Sequence, residues 1–239
     1  KFKIFRSIME NILAIIPARS KSKGIKNKNV KKINGRELIY YTIKRAKESK
    51  LISDIISSTD SKIYSKLFKK NSIWTPSLRP KRLSRDKSKI IDTLIYTTKI
   101  AEKLKKLKYD YVILLQPTAP NRAKGEIDRC IKKIINSKHD SLISLCGLNS
   151  CHPIKMKKIN GNLVKNYIKN SAENPNRQEL EKLYVPSGNI YIIKRDILIK
   201  KKTITGRRQT YDLIKFIDYV NIDTNDDFEI AKIKLKNFK

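Results

Sequence analysis

Short apolar runs alternate with segments of helical periodicity along most of the chain. The runs lie at residues 11–17, 54–59, 109–116 and 141–145, each bounded by polar residues. Continuous apolar runs of this length are typical of strands buried on both faces of a parallel sheet. Apolar residues at helical spacing occupy the segments between and after them, at 37–49, 60–70, 89–107 and 126–136. This alternation predicts an α/β fold with a mostly parallel, doubly wound sheet and helices on both of its faces.

The pattern changes after the fourth apolar run. Asn160-Gly161 separates apolar residues at 156–159 from those that begin at Leu163, and Asn-Gly favours the type I′ turn of a β-hairpin. Further strands are predicted at 188–194 and 217–222, and a closing helix at 226–235. Thr59 or Asp60 is expected to cap the helix at 60–70.

The length of 239 residues favours one compact domain. We predict a single Rossmann-like domain over residues 9–239, with a small β-rich subregion at about 151–194 and an N-terminal extension at 1–8. Cys130, Cys146 and Cys151 are odd in number and lack C-x-x-C spacing, so buried thiols are expected rather than disulfides or zinc ligands. His139 and His152 are predicted to be structural.

Charge is the most unusual feature of the composition. Fifty-five Lys and Arg residues against 22 Asp and Glu residues give a formal net charge of +33, which can favour nucleic-acid binding. However, lysine is scattered over nearly every predicted helix and loop, without a basic arm or interleaved aromatic residues, so no nucleic-acid partner is expected. No apolar run approaches the roughly 20 residues that cross a bilayer. We therefore expect a cytoplasmic protein without a membrane segment.

The loops that follow the predicted strands are the candidate site. In open α/β sheets, ligands bind beyond the carboxyl ends of the strands, here after Pro17, Thr59, Gln116 and Ile222. The loop at 17–29 carries arginine, several lysines, serines and a glycine, a composition that can surround a triphosphate. Its spacing is not that of a Walker A loop. The alternative is one more solvated lysine-rich loop.

The order of residues in this loop resembles that of the N-acylneuraminate cytidylyltransferases, or CMP-sialic acid synthetases. Residues 16–19 (I-P-A-R), 22–25 (S-K-G-I) and 28–29 (K-N) match the family's first loop, while Ser20 and Lys21 replace two glycines. Further matches keep the family's order over about 11–228: S-T-D at 58–60, L-R-P at 78–80, Q-P-T-A-P at 116–120, R-Q-x-L at 177–180, G-N-I-Y-I at 188–192 and N-I-D-T-N-D-D-F at 221–228.

The resemblance implies an enzyme that transfers CMP from CTP to an acidic nonulosonic sugar of the sialic acid type, releasing pyrophosphate. The matched positions imply a catalytic role for Arg19, Lys23 and Asp223. They imply nucleotide binding by Arg19, Ser22, Lys23, Lys28, Asn29 and Arg79, and sugar binding by Gln116, Arg177 and Gln178. From the residues alone, Arg79 could equally form a loop salt bridge, and Gln116 could cap the next turn.

The predicted cofactor is Mg²⁺, and its site departs from the family pattern. The family places two aspartates at the end of the sheet, whereas this chain has Asn221 and Asp223. An amide oxygen can ligate Mg²⁺, but the site has one negative charge fewer. Either Asp223 suffices with water and phosphate oxygens, or Asp218 or Asp226 compensates, or activity is reduced.

Two alternatives to a sialic acid synthetase remain open. Val185 and Ser187 depart from the family around the sugar, so the substrate could be a legionaminic, pseudaminic or Kdo-type sugar. Asn221, Ser20, Lys21 and the charge also allow a degenerate homologue that binds a nucleotide or polyanion without turnover. The segment at about 151–194 resembles the family's dimerisation region, which implies a homodimer.

Overall fold

The computed structural model describes residues 10–20, 24–147, 152–169 and 176–238. In chain order, its strands are β1 (Ile12–Pro17), β2 (Lys32–Ile33), β3 (Arg36–Glu37), β4 (Asp54–Ser58), β5 (Tyr111–Leu114), β6 (Ser141–Gly147), β7 (Lys157–Asn160), β8 (Leu163–Asn166), β9 (Tyr184–Lys194) and β10 (Gln209–Ile214). Its α-helices are α1 (Leu38–Glu48), α2 (Lys62–Lys70), α3 (Ile90–Lys105), α4 (Glu126–Ile135), α5 (Arg195–Lys201) and α6 (Asn225–Lys234).

Six strands form the central sheet in the order β10-β6-β9-β5-β1-β4. β1 lies between β4 and β5 and is parallel to both, and β10 is parallel to β6. β9 runs antiparallel between β5 and β6. The predicted mostly parallel sheet is confirmed, with one antiparallel strand inside it.

β1 shows why the chain forms this sheet. Its side chains alternate between two cores: Ala14 and Ile16 pack on one face of the sheet, and Leu13 and Ile15 pack on the other. α1, α2 and α4 cover the first face, and α3 and α5 cover the second. A third core packs α6 against the segment before Asp223. The predicted helices on both faces of the sheet are therefore confirmed.

Two predictions of local structure are wrong. Residues 217–222 form no strand; a 3₁₀ turn at Phe216–Asp218 begins there, and the strand is β10, just before it. Val220 and Ile222 are apolar because they pack against α6 rather than because they pair in the sheet. Ser61, not Thr59 or Asp60, caps α2, since its side chain accepts a hydrogen bond from the Tyr64 N–H.

Other predictions can be compared within the described residues. The hairpin around Asn160-Gly161 is confirmed as the antiparallel pair β7–β8. Cys130 and Cys146 are buried free thiols, whereas Cys151 lies outside the described residues, as does the N-terminal extension at 1–8. In the described ranges, no helix is both long and apolar enough to cross a membrane. The domain boundaries remain a prediction.

Candidate active site

A cavity of about 480 Å³ opens at the edge of the sheet where β1, β4 and β5 end. Three parallel strands place their carboxyl ends at the same edge, so the loops after them meet there. The cavity is lined by these predicted site residues: Arg19, Lys28, Asn29, Arg79, Gln116 and Asp223. The structure therefore brings together side chains that are far apart in the sequence.

Arg19 stands at the mouth of this cavity. Its Nη1 lies 3.3 Å from Asp86 Oδ1, and both side chains are substantially exposed, at 36% and 47%. Because exposed ion pairs of this kind are weak, the guanidinium can exchange its partner for a phosphate at little cost. Asn29 is buried behind it, and its Nδ2 donates to the Arg19 carbonyl over 3.4 Å.

Lys28 connects the loop after β1 to the segment that carries Asp223. Its Nζ donates to the Ile222 carbonyl at 2.5 Å and to Asp223 Oδ1 at 3.1 Å. Since an ammonium group has three N–H donors, one remains for a phosphate oxygen. The backbone at Gly24 also lies against the backbone of Asp223. A Cβ at position 24 would collide with the carbonyl oxygen of Asp223.

Asp223 is held at its backbone and open at its side chain. Its N–H donates to Asp227 Oδ2 at 2.9 Å, within the capping box in which Thr224 begins α6. Desolvation opposes ionisation of Asp227, but the N–H groups of Asp223 and Thr224 outweigh it and hold the pKa of Asp227 below its usual value. The Asp223 side chain is 68% exposed toward the cavity.

The metal prediction rests on this exposed carboxylate. Mg²⁺ keeps several waters and is usually held by one or two carboxylates together with substrate phosphates, which suits Asp223. Asn221 is placed differently: its Nδ2, and not its oxygen, faces Asp223 Oδ2 at 3.2 Å. Among the described residues, no group of three or more carboxylate, histidine or cysteine side chains is arranged to hold a metal. The assignment of Mg²⁺ to Asn221 and Asp223 stays a prediction.

Arg79 forms one wall of the cavity and is almost fully buried. Its Nε donates to Ser84 Oγ at 3.1 Å and its Nη1 to Thr93 Oγ1 at 3.3 Å, so hydroxyls position it rather than the loop salt bridge considered above. Burial lowers the pKa of Arg79, against the opposing effect of Asp60. Its Nη2 has no protein partner in the described structure, and a ligand acceptor can satisfy that buried donor.

Gln116 lies on the far side of the cavity, next to Gly188. The Gln116 Oε1 would be 3.2 Å from a Cβ at Gly188, whose positive φ of 80° also favours glycine. Gln178 is exposed in a 3₁₀ turn at Arg177–Glu179 and does not line the cavity of its own chain. Ser22 and Lys23 lie outside the described residues, as does the side chain of Arg177.

Arg122 supports the site in a way that the sequence did not reveal. Although it is only 1% exposed, its guanidinium donates to the carbonyls of Asn189 and Gln116 and to the hydroxyl of Thr42. Burial lowers the pKa of Arg122 to about 10, in opposition to the charge of Glu126. An arginine in a polar loop gives no sequence signal that it is buried. Only its position after the Q-P-T-A-P motif could have indicated that Arg122 supports the site.

The fold and this cavity are those of a nucleotidyltransferase, and comparison with known proteins gives the family. The sequence model described as cytidylyltransferase matches residues 13–238, so the chain belongs to the cytidylyltransferase family. The resemblance found in the sequence is thereby confirmed at the family level.

Individual relatives extend over the whole chain. The post-translational flagellin modification protein B of Campylobacter coli is 30% identical, over 95% of this chain and 96% of the relative. A CMP-N,N'-diacetyllegionaminic acid synthase of Legionella pneumophila is 32% identical, over 92% and 94%. An N-acylneuraminate cytidylyltransferase of Streptococcus agalactiae is 29% identical over 90% of this chain, which spans only about half (51%) of that relative.

Solved structures share the fold at low sequence identity. A CMP:2-keto-3-deoxy-manno-octonic acid synthetase complexed with CTP superimposes with a TM-score of 0.69 at 15% identity, over 95% of this chain and 99% of that chain. A 4-diphosphocytidyl-2C-methyl-D-erythritol synthase gives a TM-score of 0.68 at 11% identity, over 96% and 100%. The doubly wound architecture is therefore that of known cytidylyltransferases.

Proposed function

We propose that this enzyme transfers the cytidylyl group of CTP to an acidic nonulosonic sugar of the sialic acid type and releases pyrophosphate. The observation that carries the proposal is the convergence of Arg19, Lys28, Arg79 and Asp223 on one cavity. Three cations and one exposed carboxylate are suited to a triphosphate that arrives with a metal ion. Membership of the cytidylyltransferase family supports CTP as the nucleotide.

In the proposed reaction, the anomeric hydroxyl of the sugar attacks the α-phosphorus of CTP and releases its proton to solvent. The bond from the α-phosphorus to the oxygen that bridges it to the β-phosphate breaks, and pyrophosphate leaves with that oxygen. Catalysis of such a displacement is mainly positioning and stabilisation of charge. Arg19 and the free N–H of Lys28 stabilise charge on the phosphates, together with Lys23 as predicted, and Arg79 donates to the nucleoside. Mg²⁺, when bound, would supply Lewis-acid stabilisation of the leaving group, and Asp223 would hold it, with Asn221 as the second predicted ligand.

The sugar site is proposed from Gln116, Arg177 and Gln178. Relatives of this chain are named for N-acylneuraminate and for N,N'-diacetyllegionaminic acid, both nine-carbon acidic sugars. A legionaminic substrate is the leading alternative, because the relative named for it matches over nearly its full length. Pseudaminic and Kdo-type sugars are further alternatives, and all of them carry the carboxylate that a bidentate arginine recognises.

We further propose that the enzyme is a cytoplasmic homodimer in which β7–β8 contributes to the interface. Ile159 and Val164 are cross-strand partners, and they are 81% and 66% exposed. A two-stranded hairpin is marginally stable alone, so an apolar face of this kind favours a covering partner. Gln178 follows the hairpin in the sequence and lies away from its own cavity, which is consistent with a role at the cavity of a second copy.

The second candidate is a homologue that binds CTP without turnover. It is favoured by Asn221, whose substitution for the family aspartate removes a charge and whose amide nitrogen faces Asp223. Both candidate functions predict CTP binding, but only the first predicts release of pyrophosphate. One assay can therefore separate them.

The assay measures pyrophosphate release with CTP, Mg²⁺ and each of N-acetylneuraminic acid, N,N'-diacetyllegionaminic acid, a pseudaminic acid and Kdo, with ATP, GTP and UTP as controls. We expect release to require CTP and one acidic sugar. Asp223→Ala should lower turnover by about 10²-fold or more, since it removes the exposed carboxylate of the site. CTP binding without release on any acidic sugar would instead establish the second candidate.

A further inference from the structure

Asp60 connects the loop after β1 to the loop after β4. Its Oδ1 accepts the backbone N–H of Ser20 at 2.8 Å, and its Oδ2 accepts the Ser20 hydroxyl at 2.8 Å. Both carboxylate oxygens therefore hold one residue, the immediate neighbour of Arg19. Because β1 and β4 are paired in parallel, these two loops leave the sheet side by side.

Asp60 is available for this contact because it does not cap α2. Ser61 takes the cap position by accepting from the Tyr64 N–H, and Thr59 Oγ1 accepts from the Ser61 N–H at 3.1 Å. The hydroxyls of Thr59 and Ser61 accept hydrogen bonds from N–H groups at the start of α2. The carboxylate of Asp60 instead accepts from the loop after β1. A hydrogen bond to an ionised acceptor is about twice as strong as a neutral one.

The charge of Asp60 acts on Arg79 in the wall of the cavity. Burial lowers the pKa of Arg79, Asp60 opposes that effect, and Arg19 adds to it. Two guanidinium groups therefore influence each other near one carboxylate. The carboxylate of Asp60 therefore favours the charged form of Arg79, against burial and the charge of Arg19.

We propose that Asp60 is a positioning residue that fixes the backbone at Ser20 and so directs Arg19 toward the triphosphate of CTP. This inference rests on the proposed function. Asp60 does not line the cavity, so it acts through Ser20 rather than by touching the substrate. A misplacement of about 1 Å at a catalytic group can cost about 10²-fold in rate, and loss of the anchor is expected to have that kind of effect.

The test compares Asp60→Ala, Asp60→Asn and Ser20→Gly with the natural enzyme. Asp60→Ala removes both acceptors, Asp60→Asn keeps one oxygen acceptor without the charge, and Ser20→Gly removes the hydroxyl but keeps the N–H. We expect kcat/KM for CTP to fall by about 10- to 100-fold, about tenfold and less than about threefold, respectively. The Ser20 amide should exchange its hydrogen faster in Asp60→Ala, even without CTP.

Asp128→Asn is the matched control. Asp128 accepts from the Ser49 hydroxyl and from the Lys50 N–H at 3.0 Å, the same pair of donor types, and it does not line the cavity. It should leave kinetics unchanged while reporting the stability cost of losing such a contact. If Asp60→Asn changes the melting temperature as Asp128→Asn does but leaves KM and kcat for CTP intact, Asp60 is merely structural and the inference is wrong.

The two proposals fail in different ways. If the natural protein is active and Asp60→Ala is equally active, the inference alone is overturned. If the natural protein neither binds CTP nor releases pyrophosphate, the proposed function is overturned, whereas the exchange rate of the Ser20 amide still shows whether Asp60 anchors the loop.

Discussion

The predicted metal site depends on the orientation of the Asn221 amide. Its Nδ2 donates to Asp223 Oδ2 over 3.2 Å, while Lys28 Nζ donates to the other carboxylate oxygen at 3.1 Å. A lysine therefore supplies the positive charge next to Asp223, and a neutral amide occupies the position of the second predicted ligand. Each oxygen of a carboxylate can accept more than one partner, so these contacts leave room for a cation at Asp223.

Asn221→Asp should lower the concentration of Mg²⁺ that the enzyme requires. The change replaces a donor to Asp223 with a second carboxylate, and two adjacent like charges bind a divalent cation more tightly than one. We expect the Mg²⁺ concentration for half-maximal pyrophosphate release to fall by about tenfold. Asn34→Asp, at an exposed turn where Asn34 Nδ2 donates to the Lys232 carbonyl, is the control for added charge. An unchanged Mg²⁺ dependence would show that residue 221 is not a ligand.

At the scale of secondary-structure elements, Arg122 ties the loop after β5 to β9 and α1. Its guanidinium donates to the Gln116 carbonyl in that loop, to the Asn189 carbonyl in β9 and to the Thr42 hydroxyl in α1, at 2.7–2.9 Å. Glu126, at the start of α4, is buried nearby and accepts from the Ala123 N–H and from Asn189. This network fixes the loop at 116–122, which carries Gln116 at the cavity.

Arg122→Met should therefore destabilise the whole fold. The substitution preserves approximate length but leaves two buried carbonyls and a hydroxyl without their donor, and removing one side of a buried charged network costs about 3–5 kcal/mol. We expect the free energy of unfolding in urea to fall by about that amount. Lys232→Met is the comparison, because Lys232 pairs with Glu229 where both side chains are exposed, and its loss should cost about 1 kcal/mol or less. Equal losses for both variants would contradict this account of Arg122.

Hydrophobic periodicity correctly predicted the strands that are buried in the central sheet. It failed for an apolar segment that packs against a helix instead of pairing with a strand. β1 and β5 are continuous apolar runs, so their identity follows from sequence. The segment at 217–222 has the same apolar character, but Val220 and Ile222 pack against α6, and no local pattern distinguishes that from a strand. The loop residues at the cavity were predictable only through their order along the chain. Their mutual distances, such as Lys28 to Asp223, depend on strand pairing that periodicity does not specify.

Although the whole molecule carries a net charge of +33, a few of its carboxylates form close ion pairs with arginines. Glu102 binds Arg195 through two oxygens at 2.6 and 2.7 Å, and Asp212 binds Arg129 similarly. At the cavity Asp223 pairs with Lys28 over 3.1 Å, whereas Asp60, outside the cavity, accepts from Ser20. Many of the remaining lysines are exposed and spread over helices and loops, so the excess of positive charge is distributed over the surface.

The apolar face of β7–β8 is the surface on which assembly should depend. Lys158 and Lys165 are cross-strand partners on its other face and repel each other, so the hairpin gains little stability from its own contacts. The double variant Ile159→Thr and Val164→Thr keeps β-branched residues while removing apolar contact area. We expect light scattering to show a dimer for the natural protein and a dimer at least about tenfold weaker for the variant.

The sugar dependence of the reaction should change together with dimer formation. If residues 177–178 serve the cavity of a second copy, the weakened dimer should bind CTP normally but need about tenfold more sugar for the same turnover. Ile63→Thr, on α2 and 72% exposed, is the control for loss of a surface isoleucine and should change neither measurement. A natural protein that is monomeric at assay concentration, or a variant that dimerises as tightly, would contradict an interface at this hairpin. Full activity in a monomeric variant would show that each chain completes its own sugar site.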